Sequence, residues 1–191
     1  RLGAKTDGAE LAIHPYGVNV LIAGASGGGK STHATSFLEP LGELGYQFLI
    51  IDPEGDYSTF EGAVVLGDNQ HPPSPQEVMD LISQPAMSAA VNLVGLALNE
   101  RPKFFETLIP TIQELRKRTG RPHWILVDEA HHVLPPSWES DGSSVTQEMR
   151  GFILITLEPD RISPEILSTM DVVIAIGEKA HETLEIFAKA V

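Results

Sequence analysis

The 191-residue chain contains no cysteine, which excludes disulfides, thiolate nucleophiles and thiolate metal sites together. It is also poor in cations. Thirteen lysines and arginines face 26 aspartates and glutamates, a net charge of −13 at pH 7, the opposite of the footprint of a domain that grips nucleic acid through its own surface. No apolar run approaches the length of a membrane span, and nothing resembles a secretory leader, so a cytoplasmic setting is the default. Internal repeats and low-complexity tracts are absent as well. What remains, 42% hydrophobic and 20% charged residues, suits one α/β domain with a full core. The opening residues 1–8 read as a linker, as expected of a domain carried in a longer chain.

The most informative feature is the run Gly24-Ala25-Ser26-Gly27-Gly28-Gly29-Lys30-Ser31 followed by Thr32. It fits the phosphate-binding P-loop, G-x-x-x-x-G-K-[ST], at every fixed position. Glycines let backbone N–H groups turn inward into an anion-binding concavity, and the following helix points its positive end at the same place. In that arrangement Lys30 reaches the β- and γ-phosphates of ATP and the Ser31 hydroxyl ligates Mg2+. The flanks agree with the motif: 18–23 is a short, β-branched apolar strand, and Phe37, Leu38, Leu41 and Leu44 recur at helical spacing behind it.

Strand-like runs recur at 18–23, 47–51, 63–66, 89–94, 124–127, 152–156 and 172–176, mostly separated by helices or loops. This alternation implies a three-layer α/β fold, a mostly parallel central sheet covered on both faces. The clearest helix is 100–119, with an apolar stripe of Phe104, Phe105, Leu108, Ile109, Ile112 and Leu115, a bend expected at Pro110 and a stop at Gly120. The cations Arg116, Lys117, Arg118 and Arg121 at its end complement the helix dipole, or else offer a surface for phosphates or a neighbouring subunit's nucleotide. Prolines and small polar residues mark 68–75 and 135–144 as loops, the second around an isolated Trp138.

A P-loop needs acids. The run Trp124-Ile-Leu-Val-Asp128-Glu129 would deliver two carboxylates to the C-terminal edge of the sheet, where ligands of open α/β sheets collect. Asp128 is the candidate magnesium ligand and Glu129 the candidate base that orients and deprotonates water. His131 and His132 lack the spacing of a zinc site, so magnesium is the only metal expected; one of the pair senses the γ-phosphate region or packs behind the strand. Asp52, Glu54 and Asp56 follow another strand and are second-rank candidates for positioning water or magnesium, against an ordinary turn role. Thr156 ends a strand that could lie between the other two, and it either reports on the γ-phosphate or caps the next turn.

The order of these elements, from the P-loop strand through Ile-Asp52-Pro-Glu54-Gly-Asp56-Tyr and Leu-Val-Asp128-Glu129-Ala-His-His to a strand followed by Glu-Pro-Asp-Arg161-Ile-Ser-Pro, resembles the HerA/FtsK-like branch of P-loop ATPases over about residues 12–176. The resemblance implies an additional-strand catalytic-glutamate, RecA/HerA-like fold, ATP hydrolysis with Glu129 as base, and commonly a hexameric ring that moves DNA or another polymer through its pore. It also divides the chain into a linker or leading strand, 1–11, and an ATPase domain, 12–191. The pattern departs in one place: where such ATPases carry Gln-Arg-Pro after the sensor strand, this chain reads Leu157-Glu158-Pro159, losing an amide and exchanging a cation for an anion. With the acidic surface, this weakens the inference to a DNA motor. Arg150 and Arg161 are candidates for an arginine acting across a subunit interface. Two other functions stay open: a nucleotide-gated regulatory module with slow hydrolysis, and a P-loop kinase, which a water-activating Glu129 disfavours.

Overall fold

The computed structural model describes residues 3–4, 7–12, 17–24, 30–138 and 149–191. The strands are β1 (Gly3–Ala4), β2 (Glu10–Leu11), β3 (Val20–Gly24), β4 (Phe48–Asp52), β5 (Val64–Leu66), β6 (Ala89–Asn92), β7 (Trp124–Val127), β8 (Phe152–Thr156) and β9 (Val172–Ile176). The helices are α1 (Lys30–Glu43), α2 (Pro75–Ile82), α3 (Arg101–Thr119), α4 (Pro164–Leu167) and α5 (Ala180–Ala190). Strands β1 and β2 form a small antiparallel ladder of their own. The other seven make one sheet in the order β5-β6-β4-β7-β8-β3-β9, and every pairing in it is parallel.

Strand periodicity explains the layers. Successive side chains point to opposite faces, so Val20 and Ile22 enter one core with Ala34, Leu38 and Leu41 of α1 and with Tyr57. Leu21 and Ala23 enter the other, with Val78 and Ile82 of α2, the Phe104–Leu115 stripe of α3, and Ile166 and Leu167 of α4. Leu44 is the exception to the expected α1 stripe: it lies beyond the helix and is 73% exposed. Helix α2 starts from a capping box in which Ser74 and Glu77 bond each other's backbone N–H. Helix α3 runs from Arg101 to Thr119 with Pro110 inside it, and Gly120 ends it in the left-handed conformation, φ 73°.

This order puts β8 between β7 and β3, the interposed strand that the sequence left as one option. Because all seven strands run the same way, the ends of β3, β4, β7 and β8 share one edge. Register fixes their heights: Ile51 pairs with Val127, Val127 with Leu154, and Ala23 with Thr156.

Candidate nucleotide site

Each functional side chain is set by a strand end. Strand β3 ends at Gly24, whose φ of +155° and close approach to β9 leave no room for a Cβ, which would collide with the Ile176 carbonyl. Helix α1 then begins at Lys30, with Ser31 and Thr32 in its first turn. Ala25, Ser26, Gly27, Gly28 and Gly29 lie outside the described residues. A strand ending in glycine and a helix opening with Lys-Ser bracket the motif as a P-loop requires.

Strand β7 supplies the acids. The backbone of Asp128 still bonds β4, its N–H donating to the Ile51 carbonyl at 3.0 Å, so its carboxylate is held at the sheet edge and is only 5% exposed. One oxygen accepts the Glu129 N–H at 2.9 Å. Burial, with Glu129, Asp52 and Asp56 nearby, pushes the Asp128 carboxyl up to about 7. The Tyr57 hydroxyl is buried and faces the Asp128 carboxylate, and burial, followed by the charges of Asp128 and Asp52, pushes its pKa up. Concentrated, desolvated negative charge is what a divalent cation would relieve. Among the described residues no three acids or histidines converge as a complete metal cage, and magnesium does not need one: it is commonly held by one or two carboxylates together with substrate phosphates. Asp128 therefore fits the group.

At Glu129 the chain leaves the strand in a left-handed conformation, φ 36° and ψ 56°, unusual for a residue with a side chain. It leads into a single 3-10 turn, Ala130–His132, rather than a longer helix. The His131 Nδ1 lies 3.4 Å from Glu129 Oε2 and 3.2 Å from Thr156 Oγ1. The Thr156 hydroxyl also accepts the Glu158 N–H at 3.1 Å and faces the Glu158 carbonyl at 3.3 Å, so it both caps the turn and meets the segment that follows β7.

The second-rank residues separate. Asp52 sits on the same edge, but its carboxylate accepts the N–H groups of Gly55, Asp56 and Tyr57 at 2.7, 3.1 and 3.0 Å; it is committed to its own turn, with burial raising its pKa. Glu54 is half-exposed and 3.7 Å from His132 Nε2. Arg161 lies on this edge, yet pairs with Glu158 at 2.8 Å in solvent. Arg150 is at the opposite edge, donating to the Gly17 carbonyl at 3.2 Å. There too lies Arg116, in the last turn of α3 with Lys117 and Arg118, and its guanidinium also ties strand starts together by bonding the carbonyls of Pro122, Arg150 and His123. Trp138, expected in an open loop, is buried in the core, and residues 139–148 lie outside the described ones.

Sequence reasoning missed Arg101. It is 8% exposed at the start of α3, bonds the Leu96 carbonyl at 3.3 Å, and lies within electrostatic reach of Glu54 and His132. An arginine opening an apolar helix has no sequence signature that marks it as buried near Glu54 and His132.

The family described as "Helicase HerA, central domain" matches residues 17–170. The chain belongs to that family. This HerA-family chain is a HerA/FtsK-like P-loop ATPase by membership and has the three-layer, RecA-like fold. No curated protein matches it significantly by sequence. Among solved structures it is similar to the genome packaging NTPase B204 of Sulfolobus turreted icosahedral virus 2 in complex with AMPPCP, with 17% identity, 93% of this chain and 83% of that chain covered, and a TM-score of 0.65. It is also similar to VirB4 of Thermoanaerobacter pseudethanolicus, with 13% identity, coverage of 98% and 87%, and a TM-score of 0.65. At such identities the likeness speaks for the fold; family membership supports nucleotide binding and NTPase activity in general.

Proposed function

We propose that this HerA-family domain is a magnesium-dependent ATPase whose site is the 24–32 loop and helix start together with Asp128 and Glu129. The observation that carries the reading is the pair of carboxylates at the end of β7, one strand away from the P-loop strand, with β8 between them. Lys30 contacts the β- and γ-phosphates while backbone N–H groups of 25–29 cradle the chain of phosphates. Ser31 and Asp128 are the residues that would hold magnesium, which when bound neutralises charge developing on the phosphoryl oxygens. Glu129 orients a water and accepts its proton; the water oxygen bonds to the γ-phosphorus as the bond to the β-γ bridging oxygen breaks, releasing ADP and inorganic phosphate.

The same reading makes the domain one subunit of a ring. Arg150 lies at the sheet edge away from its own P-loop, so an action on phosphate falls on a nucleotide held by a second copy. A polymer such as DNA is the proposed cargo by family, despite the net charge of −13. A second reading, a nucleotide-gated module with feeble turnover, is favoured by one observation: at the position after the sensor strand, Glu158 pairs with Arg161 rather than offering a cation.

The test is ATP turnover with and without duplex DNA at concentrations that allow assembly. Stimulation by DNA supports the motor, and turnover indifferent to DNA points to another cargo. Tight ATP binding with almost no turnover favours the gated module. Undiminished ATP affinity in Lys30→Ala would overturn the site itself.

A further inference from the structure

We propose that the cavity between the C-terminal end of α1 and the segments 59–62 and 85–88 is a binding site for an arginine-bearing segment of a partner protein, whose guanidinium groups meet the carboxylates of Glu39, Glu43 and Glu61. The inference is independent of the ATPase reading. The cavity shares no residue with the nucleotide site and stands a helix length from it, since α1 opens at Lys30 and its 14 residues end at Glu43, about 20 Å on.

The cavity holds about 920 Å3, room for several side chains rather than for one small ion. Three glutamates line it and no described lysine, arginine or histidine does. None of those carboxylates has an ion-pair partner among the described residues. Two of them also stand against the local rules of the helix that carries them. Glu39 and Glu43 occupy the end of α1, where the helix dipole is already negative and no base sits in the last turn. Four residues apart, they repel each other on one helix face. A bound cation removes both penalties.

A second, independent observation lies in the cavity wall. Gln47 lines the cavity and is 3% exposed. Its Nε2 donates to the carbonyls of Ile82, Gln84 and Met87 at 2.9, 2.9 and 2.6 Å, which fixes the orientation of the amide and leaves Oε1 a buried acceptor with no donor. An unsatisfied buried acceptor is costly, and an N–H brought in through the cavity supplies its partner. The walls select arginine among cations. Tyr46, Phe48 and Phe60 line the same space, and the Phe48 and Phe60 ring centres are 6.1 Å apart. Aromatic faces stack a guanidinium, apolar surface takes its aliphatic stem, and its planar fork matches a carboxylate. Leu44, between the lining residues Glu43 and Gly45, is 73% exposed, an apolar contact that suits a protein segment and not a free amine.

The probe is a fluorescein-labelled octapeptide alternating arginine with leucine, read by anisotropy on the full chain at about 0.15 M salt, which screens diffuse attraction to a net charge of −13. Glu39→Gln with Glu43→Gln should weaken binding about tenfold or more. The charge-matched pair Glu106→Gln with Glu114→Gln, exposed on α3 across the sheet, should leave affinity within about twofold. Ala86→Trp, a neutral change at an exposed lining residue, should block the peptide. Equal losses in the two glutamine pairs would reduce the site to overall charge, and undiminished binding by Ala86→Trp would move it elsewhere; either result overturns the proposal. Free spermidine binding as tightly as the peptide would overturn it too, replacing the protein segment by a small polyamine. One readout needs no ligand: Glu39→Gln with Glu43→Gln should raise the denaturation midpoint of the free chain, as relief of misplaced charge does. A lower midpoint would mean that these carboxylates serve the fold, against the proposal.

Discussion

The two edges of the central sheet differ in what they bury. At the edge where strands begin, buried polar side chains are bonded from several sides. Asn19 donates to the carbonyls of Met149 and Thr169 and accepts from the Phe152 N–H. Gln47 donates to the carbonyls of Ile82, Gln84 and Met87, and Arg116 to three more. At the edge where strands end, burial beside other acids raises the Asp128 pKa to about 7, Glu129 takes a left-handed backbone, and the Tyr57 hydroxyl is buried against the Asp128 carboxyl. Satisfaction is not complete at the strand starts either, where Gln47 Oε1 and Trp124 Nε1 are buried without a partner among the described residues; what sets the strand ends apart is buried carboxylate charge and the left-handed backbone of Glu129. The strand starts tie distant segments together, and the strand ends concentrate buried charge and backbone strain, features that cluster at functional sites.

The contrast can be broken in stages. The largest effect on stability belongs to the satisfied edge: Asn19→Leu leaves two carbonyls and one N–H without their partner and should cost about 3–5 kcal/mol, readable as a lower denaturation midpoint. A change below about 1 kcal/mol would mean that the strand starts are not the fold's anchor.

At the other edge the sign reverses. The Asp128 pKa is raised from 3.8 to about 7, so the folded state binds its proton more tightly than the unfolded chain does. Its stabilising contribution is present below about pH 4 and is lost as pH rises towards 7, by an amount on the order of 2–4 kcal/mol. Asp128→Asn should therefore make the nucleotide-free protein more stable at pH 7 and flatten its stability between pH 4 and 7, while weakening magnesium-nucleotide binding. A variant less stable than wild type at both pH values would remove the claim of stored strain. The smallest effect falls on Arg161→Ala, because its pair with Glu158 lies in solvent; the melting temperature should not move, and a clear drop would give that pair a structural role.

The sequence made the fold legible at the level of elements. All seven strands of the main sheet fall within two residues of where apolar runs place them, since a parallel strand buried on both faces must be continuously apolar. Their order was less legible, because register and crossover direction are properties of packing; the position of β8 could be named only as an option. The position of Asp128 and Glu129 could be read because an apolar run ending in two acids marks a strand end. The turn-binding of Asp52 could not, since a carboxylate that bonds its own loop and one that faces a ligand share a sequence. Arg101 went unnoticed, and the carbonyl bonds of Arg116 were not foreseen, for a similar reason: whether a guanidinium is buried depends on carbonyls contributed by other segments.

The most direct test of the account is steady-state ATP turnover by wild type and Glu129→Gln, each with its ATP affinity and melting temperature measured alongside. The account predicts a fall of about 100-fold or more in kcat, as expected for loss of a general base, with ATP still bound and the fold no less stable. Turnover retained within a few-fold in Glu129→Gln would contradict it, because the strained edge would then hold no catalytic base.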